Sequence, residues 1–287
     1  MIIITDSAAD MSKEEAESLG VHVAPLHIQF PEGGVSSEEI TPDEFYARLK
    51  AMEPEIPTTS QPSAGSFTNI YKKFENLKEE ILSIHISSGL SGTLESARLG
   101  AESILQTKIH HFDSMTLSGG QRFQVLAAAK AVKNGWGKQA IFDRLKAIRE
   151  QTEVIYTLET LKYLARGGRI GRVQALAGLL LKVKPIIKVD KTDGKYSTVG
   201  KARTVPKALT TIQDYLSSCY GTDTPLLVSV MHGQYLEQAK VLAGMLQEKL
   251  NVTRLEILRI SPVLGVHTGP GVVGAAVVPA HLVDNIE

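Results

Sequence analysis

The chain has one cysteine, Cys219, and one tryptophan among 287 residues, and its 31 Lys and Arg are balanced by 31 Asp and Glu. A lone cysteine excludes an intrachain disulfide and fits a reducing compartment. Zero net charge argues against a nucleic-acid protein working through a broad basic face. Long apolar runs are missing too. The longest stretch free of Asp, Glu, Lys and Arg is Ile260–Val283, and it holds Pro262, Pro270, Pro279, four glycines and His267. Such a segment reads as strand and loop, not as a membrane helix. The start, Met1-Ile2-Ile3-Ile4-Thr5-Asp6, has no basic region and too short an apolar run for a secretory signal. These absences predict a cytoplasmic protein with no nucleic-acid partner and no stable membrane insertion.

Chemical signatures are equally sparse. There is no phosphate-binding G-x-x-x-x-G-K-[ST] loop, no H-E-x-x-H and no cysteine pair, so neither a metal nor a cofactor is expected. Gly269-Pro270-Gly271-Val272-Val273-Gly274 matches G-x-G-x-x-G. The residues after it, Ala275–Pro279, favour a strand, and no acidic residue follows about 20 positions on, so the match lacks the context of a dinucleotide site and is weak. The simpler reading is a glycine turn between strands.

What is present points to an α/β protein. With 43% hydrophobic residues the chain can bury a sizeable core, and its length suits two domains. Apolar runs at Ile2–Thr5, Val21–Phe30, Ile81–Ile86 and Ile109–Phe112 alternate with helical patterns from about Thr93, Leu117 and Lys138. Pro25 marks the second run as an edge or interrupted strand. Ser12–Glu15 and Thr41–Glu44 are capping boxes. This alternation predicts a parallel sheet flanked by helices in residues 1–152. From residue 153 to 287, Ile186–Asp190 and Tyr196–Val199 flank Asp193-Gly194 as a hairpin, alongside strands at Val154–Leu158, Leu226–Met231 and Leu255–Ile260, the latter two with a helix between them, and Gly274–Val278. Short helices are expected over Glu159–Ala165 and, strongly apolar, over Gln174–Lys182. That mixture predicts a second α/β domain with a mixed sheet.

Two hydroxyl-rich turns stand out. Thr58-Thr59-Ser60-Gln61-Pro62-Ser63 precedes a helical pattern at Phe67–Leu77, and Ser87-Ser88-Gly89-Leu90-Ser91-Gly92-Thr93 follows a strand. Each is expected at the carboxyl end of a parallel strand, offering hydroxyls and backbone N–H groups at a helix N-terminus, where an anion is favoured. Either one alone reads as simple capping; two in one domain favour an anion site. Gly89-Leu90-Ser91-Gly92-Thr93 narrowly misses G-x-S-x-G, and His267 with Asp6 or Asp113 leaves a Ser–His–Asp hydrolase open. His267 sits among Gly265, Gly269 and Gly271, which suggests a loop too glycine-rich to be core. Arg166-Gly167-Gly168-Arg169-Ile170-Gly171-Arg172, with Lys201 and Arg203, could receive a phosphate or an acidic partner, or be a solvated turn.

Taken in order, these segments resemble one family. Thr5-Asp6-Ser7, the two hydroxyl-rich turns, Phe112-Asp113-Ser114, Leu161–Ile170, Lys184-Pro185-Ile186, Lys201-Ala202-Arg203-Thr204 and His267-Thr268-Gly269-Pro270-Gly271 together resemble the DegV family of bacterial fatty-acid-binding proteins over essentially the whole chain. A departure is Gly33-Gly34-Val35-Ser36-Ser37, where many members carry an aromatic-aspartate-glycine turn. The resemblance implies two α/β domains and a buried long-chain fatty acid such as palmitate, stearate or oleate. It implies a non-catalytic carrier whose ligand a separate fatty acid kinase phosphorylates with ATP, feeding phospholipid synthesis. By motif, the carboxylate is expected at Thr59 or Ser60, Ser91, Gly92 and His267, with Arg169 and Arg203 meeting the partner or the transferred phosphate. Leu90, Leu94, Leu158, Leu161, Leu164, Leu176, Leu179, Leu180, Ile186 and Val266 are candidate tunnel residues, although core packing explains each as well. At ~0.8 kcal/mol per methylene, about fourteen methylenes give roughly 11 kcal/mol before ordering costs, so the tail dominates affinity. Two other readings stay open: a lipid esterase using Ser91 and His267, and an acyl sensor without a kinase.

Overall fold

The computed structural model describes residues 1–77, 79–173, 183–284 and 286. The expected apolar helix at 174–182, with Leu176, Leu179 and Leu180, lies outside them.

The first parallel sheet is built from β2 (Val21–Ala24), β1 (Ile2–Asp6), β6 (Ile81–His85) and β7 (Ile109–Asp113), in that order, every pair parallel. β1 and β6 are buried on both faces, which is why they read as mainly apolar runs, with Thr5, Asp6, Ser83 and His85 as the buried polar exceptions. Pro25 breaks the β-rich run after Ala24, leaving β2 as the sheet's edge. The flanking helices are α1 (Lys13–Leu19), α2 (Pro42–Ala51), α3 (Ala64–Lys72), α4 (Thr93–Ala101), α5 (Ser118–Lys133) and α6 (Lys138–Gln151). Thr41 and Glu44 cap α2 reciprocally, with Pro42 at its first position, and Ser12 caps α1.

A second, small antiparallel sheet was not expected. β3 (His27–Phe30) pairs with β4 (Gly33–Ser36) on one side and β5 (Thr58–Ser60) on the other. Thr58–Ser60 is therefore an antiparallel strand, not a turn at the end of a parallel one. Pro62 precedes the N-cap Ser63 of α3 and stands outside the helix.

The mixed sheet begins at β8 (Glu153–Thr157). α7 (Lys162–Arg166), β9 (Lys184–Val189), β10 (Tyr196–Ala202), α8 (Val205–Tyr220), β11 (Leu226–His232), α9 (Leu236–Lys249), β12 (Val252–Arg259), α10 (Pro262–Thr268) and β13 (Val273–Pro279) follow. The strand order is β10-β9-β8-β13-β11-β12; only β11 and β12 run parallel. α8 and α9 cover one face of this sheet. The other face packs on α5 and α10 in a hydrophobic core shared with the first sheet, through Phe123, Leu126, Tyr156, Met231, Leu264 and Val278. Arg122 on α5 ties the layers together, pairing with Glu15 of α1 and Glu256 of β12. Among the described residues no helix is long and apolar enough to cross a membrane.

Candidate ligand-binding site

The two hydroxyl-rich segments meet on one side of α10. Alternation along β5 puts Thr59 on the inward face with Ile28 and sends Ser60 the other way. Thr59 Oγ1 lies 2.7 Å from His267 Nε2. The Ser60 hydroxyl instead accepts from Gln29 Nε2 at 3.0 Å. Of the two hydroxyls expected at the carboxylate, the structure brings only Thr59 to His267.

His267 itself is helical and buried, contrary to its reading as a glycine-rich loop. Pro262 starts α10 and Gly269, at φ 74°, ends it. The ring is clamped end to end: Thr59 touches Nε2, and a Cβ on Gly167 would stand 2.1 Å from Nδ1. Nδ1 has no hydrogen-bond partner among the described residues. Burial, then the nearby Arg169 guanidinium, pulls the imidazole down to about 4, so it is neutral at pH 7.

Ser87–Thr93 leads from β6 into α4. Ser91 Oγ lies 2.8 Å from Thr93 Oγ1 and accepts from Thr93 N–H. The N-cap, Gly92, offers α4 no side chain, whereas Ser63 caps α3. The anion-favouring terminus is thus that of α4; at α3 the capping reading holds. Gly92 packs against Gln61, where a Cβ would meet the amide nitrogen at 2.9 Å, so the second segment is joined to the first. Arg169 Nε donates to the Leu90 carbonyl (3.2 Å) and Nη1 to that of Gly167 (2.7 Å). The basic loop thereby closes over the Ser87–Thr93 segment. Ser87 Oγ donates to the Gly194 carbonyl at 2.8 Å, docking the tip of the β9–β10 hairpin beneath it.

Arg203 is not part of this cluster. It is exposed just past β10, whose far end pairs with Lys184. β10 rises about 20 Å between that end and the hairpin tip.

Among the described residues no Ser–His–Asp arrangement involves Ser91. Asp113 accepts from Ser88, and Asp6 from His85 Nδ1 at 2.9 Å and from Ile86 N–H. A Ser–His–Asp chain does occur elsewhere: Ser83 Oγ lies 2.6 Å from His85 Nε2, and Tyr71 OH 2.9 Å from Ser83. Asp6, Tyr71, Ser83 and His85 are all fully buried, so no substrate reaches them.

Beside the cluster is a narrow apolar slot of about 20 Å³ between α5, α10 and the mixed sheet. Thr268, next to His267, and Leu117, next to the Thr116 carbonyl that accepts from Ser87 N–H, are part of its wall. Tyr156, Met231, Ile260 and Leu264 are others. None of the seven described residues expected to form a tunnel (Leu90, Leu94, Leu158, Leu161, Leu164, Ile186 and Val266) lines this slot. Leu94, Leu158, Leu161, Leu164, Ile186 and Val266 are buried core. Sequence reasoning missed Gly167, Tyr156 and Met231; the glycine beside Arg166 was the available signal.

The family model described as "Uncharacterised protein, DegV family" matches residues 1–280. A DegV domain-containing protein of Deinococcus radiodurans is 36% identical over 259 residues, 90% of this chain and 89% of that protein. A fatty-acid-binding DegV family protein from Thermus thermophilus superposes with a TM-score of 0.90 at 30% identity, covering 97% of this chain and 99% of that one. A stearic-acid-binding protein from Eubacterium ventriosum gives 0.86 at 28%, covering 97% and 98%. On the family match and the identity to its relatives, the chain belongs to the DegV family.

Proposed function

We propose that this protein binds one long-chain fatty acid, such as palmitate, stearate or oleate, as a non-catalytic carrier. Its carboxylate sits between the Thr59–His267 pair and the Ser91–Gly92 segment, and its tail enters the apolar slot past Thr268. The observation that carries the reading is the neutral, clamped imidazole bonded to a hydroxyl beside a small apolar cavity. Hydroxyls, a neutral ring and the open N-terminus of α4 bind a carboxylate, with Arg169 supplying positive charge. Nothing in that set binds or activates ATP. Phosphorylation of the carboxylate therefore falls to a separate ATP-dependent fatty acid kinase, whose product feeds phospholipid synthesis in the cytoplasm. The fatty-acid-binding relatives from Thermus thermophilus and Eubacterium ventriosum support the ligand class. Residues 1–152 form the carboxylate-binding domain and 153–287 the domain that completes the tail's enclosure.

Native mass spectrometry of the purified protein, then lipid analysis after denaturation, tests the reading. One fatty acid per chain is expected. A protein that is empty and refuses added oleate and palmitate sinks it. Ser91→Ala and Thr59→Val each remove one head-group hydrogen bond, worth about 0.5–1.5 kcal/mol, and weaken binding about threefold to tenfold. Arg203, exposed, is the cleaner partner contact, because Arg169 also holds Leu90 and Gly167. Arg203→Ala lowers acyl phosphate formation with acyl binding intact; loss of acyl binding instead reverses that assignment.

A further inference from the structure

We infer that Ser118 is the stop that sets the longest acyl chain this protein accepts, an inference that rests on the fatty-acid reading above. The slot runs beside α10, from Thr268 at the helix's C-terminal end to Ile260, just before its N-terminus. Ser118 stands at that far end with Ile260, and Met231 forms the wall beside it. Beyond lies a cleft of about 1050 Å³, lined by Asp10, Ser261 and Arg122 among others. Ile260 lines both spaces. Between the apolar slot and this larger cleft stands one polar layer: Ser118, Asp10 and Ser261.

That layer is built to hold. The Asp10 carboxylate accepts from Ser118 Oγ and, at 2.7 Å, from Ser261 N–H. Ser118 Oγ also lies 2.9 Å from Met231 Sδ. Asp10 (φ 51°) and Ser118 (φ 52°) both adopt the left-handed conformation, which an aspartate tolerates better than a serine. Glycine would occupy position 118 without strain. A serine there costs backbone energy and supplies a hydroxyl whose partner is the half-buried Asp10 carboxyl. Burial lifts that carboxyl to about 6, so losing the hydroxyl's hydrogen bond would be costly.

A tail lengthening into the slot gains about fourfold in affinity per buried methylene. The lining side chains move apart to admit it, and Met231, unbranched and flexible, yields most easily. The gain ends where the terminal methyl meets Ser118, because going further would strip Asp10 of its hydroxyl partner. Without Ser118 the blind slot becomes a passage into the cleft.

The test uses delipidated full-length protein and a series of saturated fatty acids from laurate to behenate, with affinities measured by isothermal titration. In the wild type, affinity climbs with length and then falls sharply beyond one length. Ser118→Gly, which relaxes the backbone and so folds, moves that fall to longer chains, with at least a tenfold gain for the first acid past the wild-type limit. Met231→Ala widens the slot but keeps the stop, so its limit stays where the wild type has it. An unchanged limit in Ser118→Gly overturns the assignment, and so does an equal shift in Met231→Ala. If wild type and variants all fail to take up any acid of the series, or oleate, the fatty-acid reading itself has failed, and the stop with it.

Discussion

Gly167→Ala tests the site through the one contact that leaves no room. The new methyl would lie 2.1 Å from His267 Nδ1, 2.8 Å from Cε1 and 3.2 Å from the Tyr163 carbonyl. The ring must give way by roughly 1.5 Å to reach an ordinary contact distance. Thr59 blocks the opposite end at 2.7 Å, so the ring cannot slide along its own axis without losing that bond. Overpacking of this kind costs about 1–3 kcal/mol. The backbone at Gly167 has φ −74°, which alanine accepts, and a stiffer unfolded chain returns about 0.4–1 kcal/mol. The net expectation is about 1–2 kcal/mol of lost stability and a Tm lower by a few degrees. Displacing the imidazole from Thr59 also weakens the head-group site about threefold to tenfold. The assay is differential scanning calorimetry of the delipidated protein, with stearate titration alongside. Gly244→Ala, where nothing lies within 4 Å of the new methyl on α9, is the control and is expected to be neutral or stabilising. A Gly167→Ala protein with wild-type Tm and wild-type stearate affinity would refute the clamped-imidazole argument.

Acid titration reads the same ring. Its folded value of about 4 lies below the ordinary 6.5, so the unfolded chain takes the proton first as pH falls, and stability drops between pH 6.5 and 4 by about 3 kcal/mol. His267→Gln should remove most of that slope in chemical denaturation. Asp10 has the opposite sign: with its carboxyl raised from 3.8 to about 6, its contribution is present below pH 3.8 and fades as pH rises through 6, a drift that Asp10→Asn abolishes. Ser83→Ala strands Tyr71 OH and His85 Nε2 inside the first sheet and should cost about 1–3 kcal/mol by urea unfolding, and a fluorophosphonate probe should leave the wild type unlabelled. Arg122→Met leaves Glu15 and Glu256 without their shared cation, at a cost of about 2 kcal/mol, less than for a fully buried pair because both glutamates keep some water. That loss should vary little with salt, since the guanidinium is shielded.

The parallel sheet was legible because strands buried on both faces are mostly apolar, and Ile2–Thr5 and Ile81–Ile86 are broken only by Thr5, Ser83 and His85. The caps at Ser12 and Thr41 and the hairpin at Asp193-Gly194 were legible because each is a local hydrogen-bonding rule; Gly194 adopts φ 65° as such a turn requires. The small sheet was not, since β4 is Gly33-Gly34-Val35-Ser36 and β5 only Thr58–Ser60. Segments that short carry no periodicity, and their pairing is decided by what lies across from them. The helix around His267 could have been found: Ser261-Pro262 opens it and Gly269 closes it by ordinary capping rules. The glycines drew attention to a loop instead. The Thr59–His267 bond spans 208 residues and could not be read from either neighbourhood.

The position of β13 bears on how the protein comes into being. It is the last strand among the described residues, yet it sits inside the mixed sheet, between β8 and β11, bonded to both. Until Val273–Pro279 leaves the ribosome, that sheet is two disconnected pieces with open edges toward each other. The first sheet, whose strands end at Asp113, can assemble during synthesis, and the second must wait. His267 arrives only six residues before β13, so the imidazole and the strand that fixes the surrounding wall join the nascent fold together. A nascent chain stalled before this point would present exposed β8 and β11 edges, a surface for chaperones to cover.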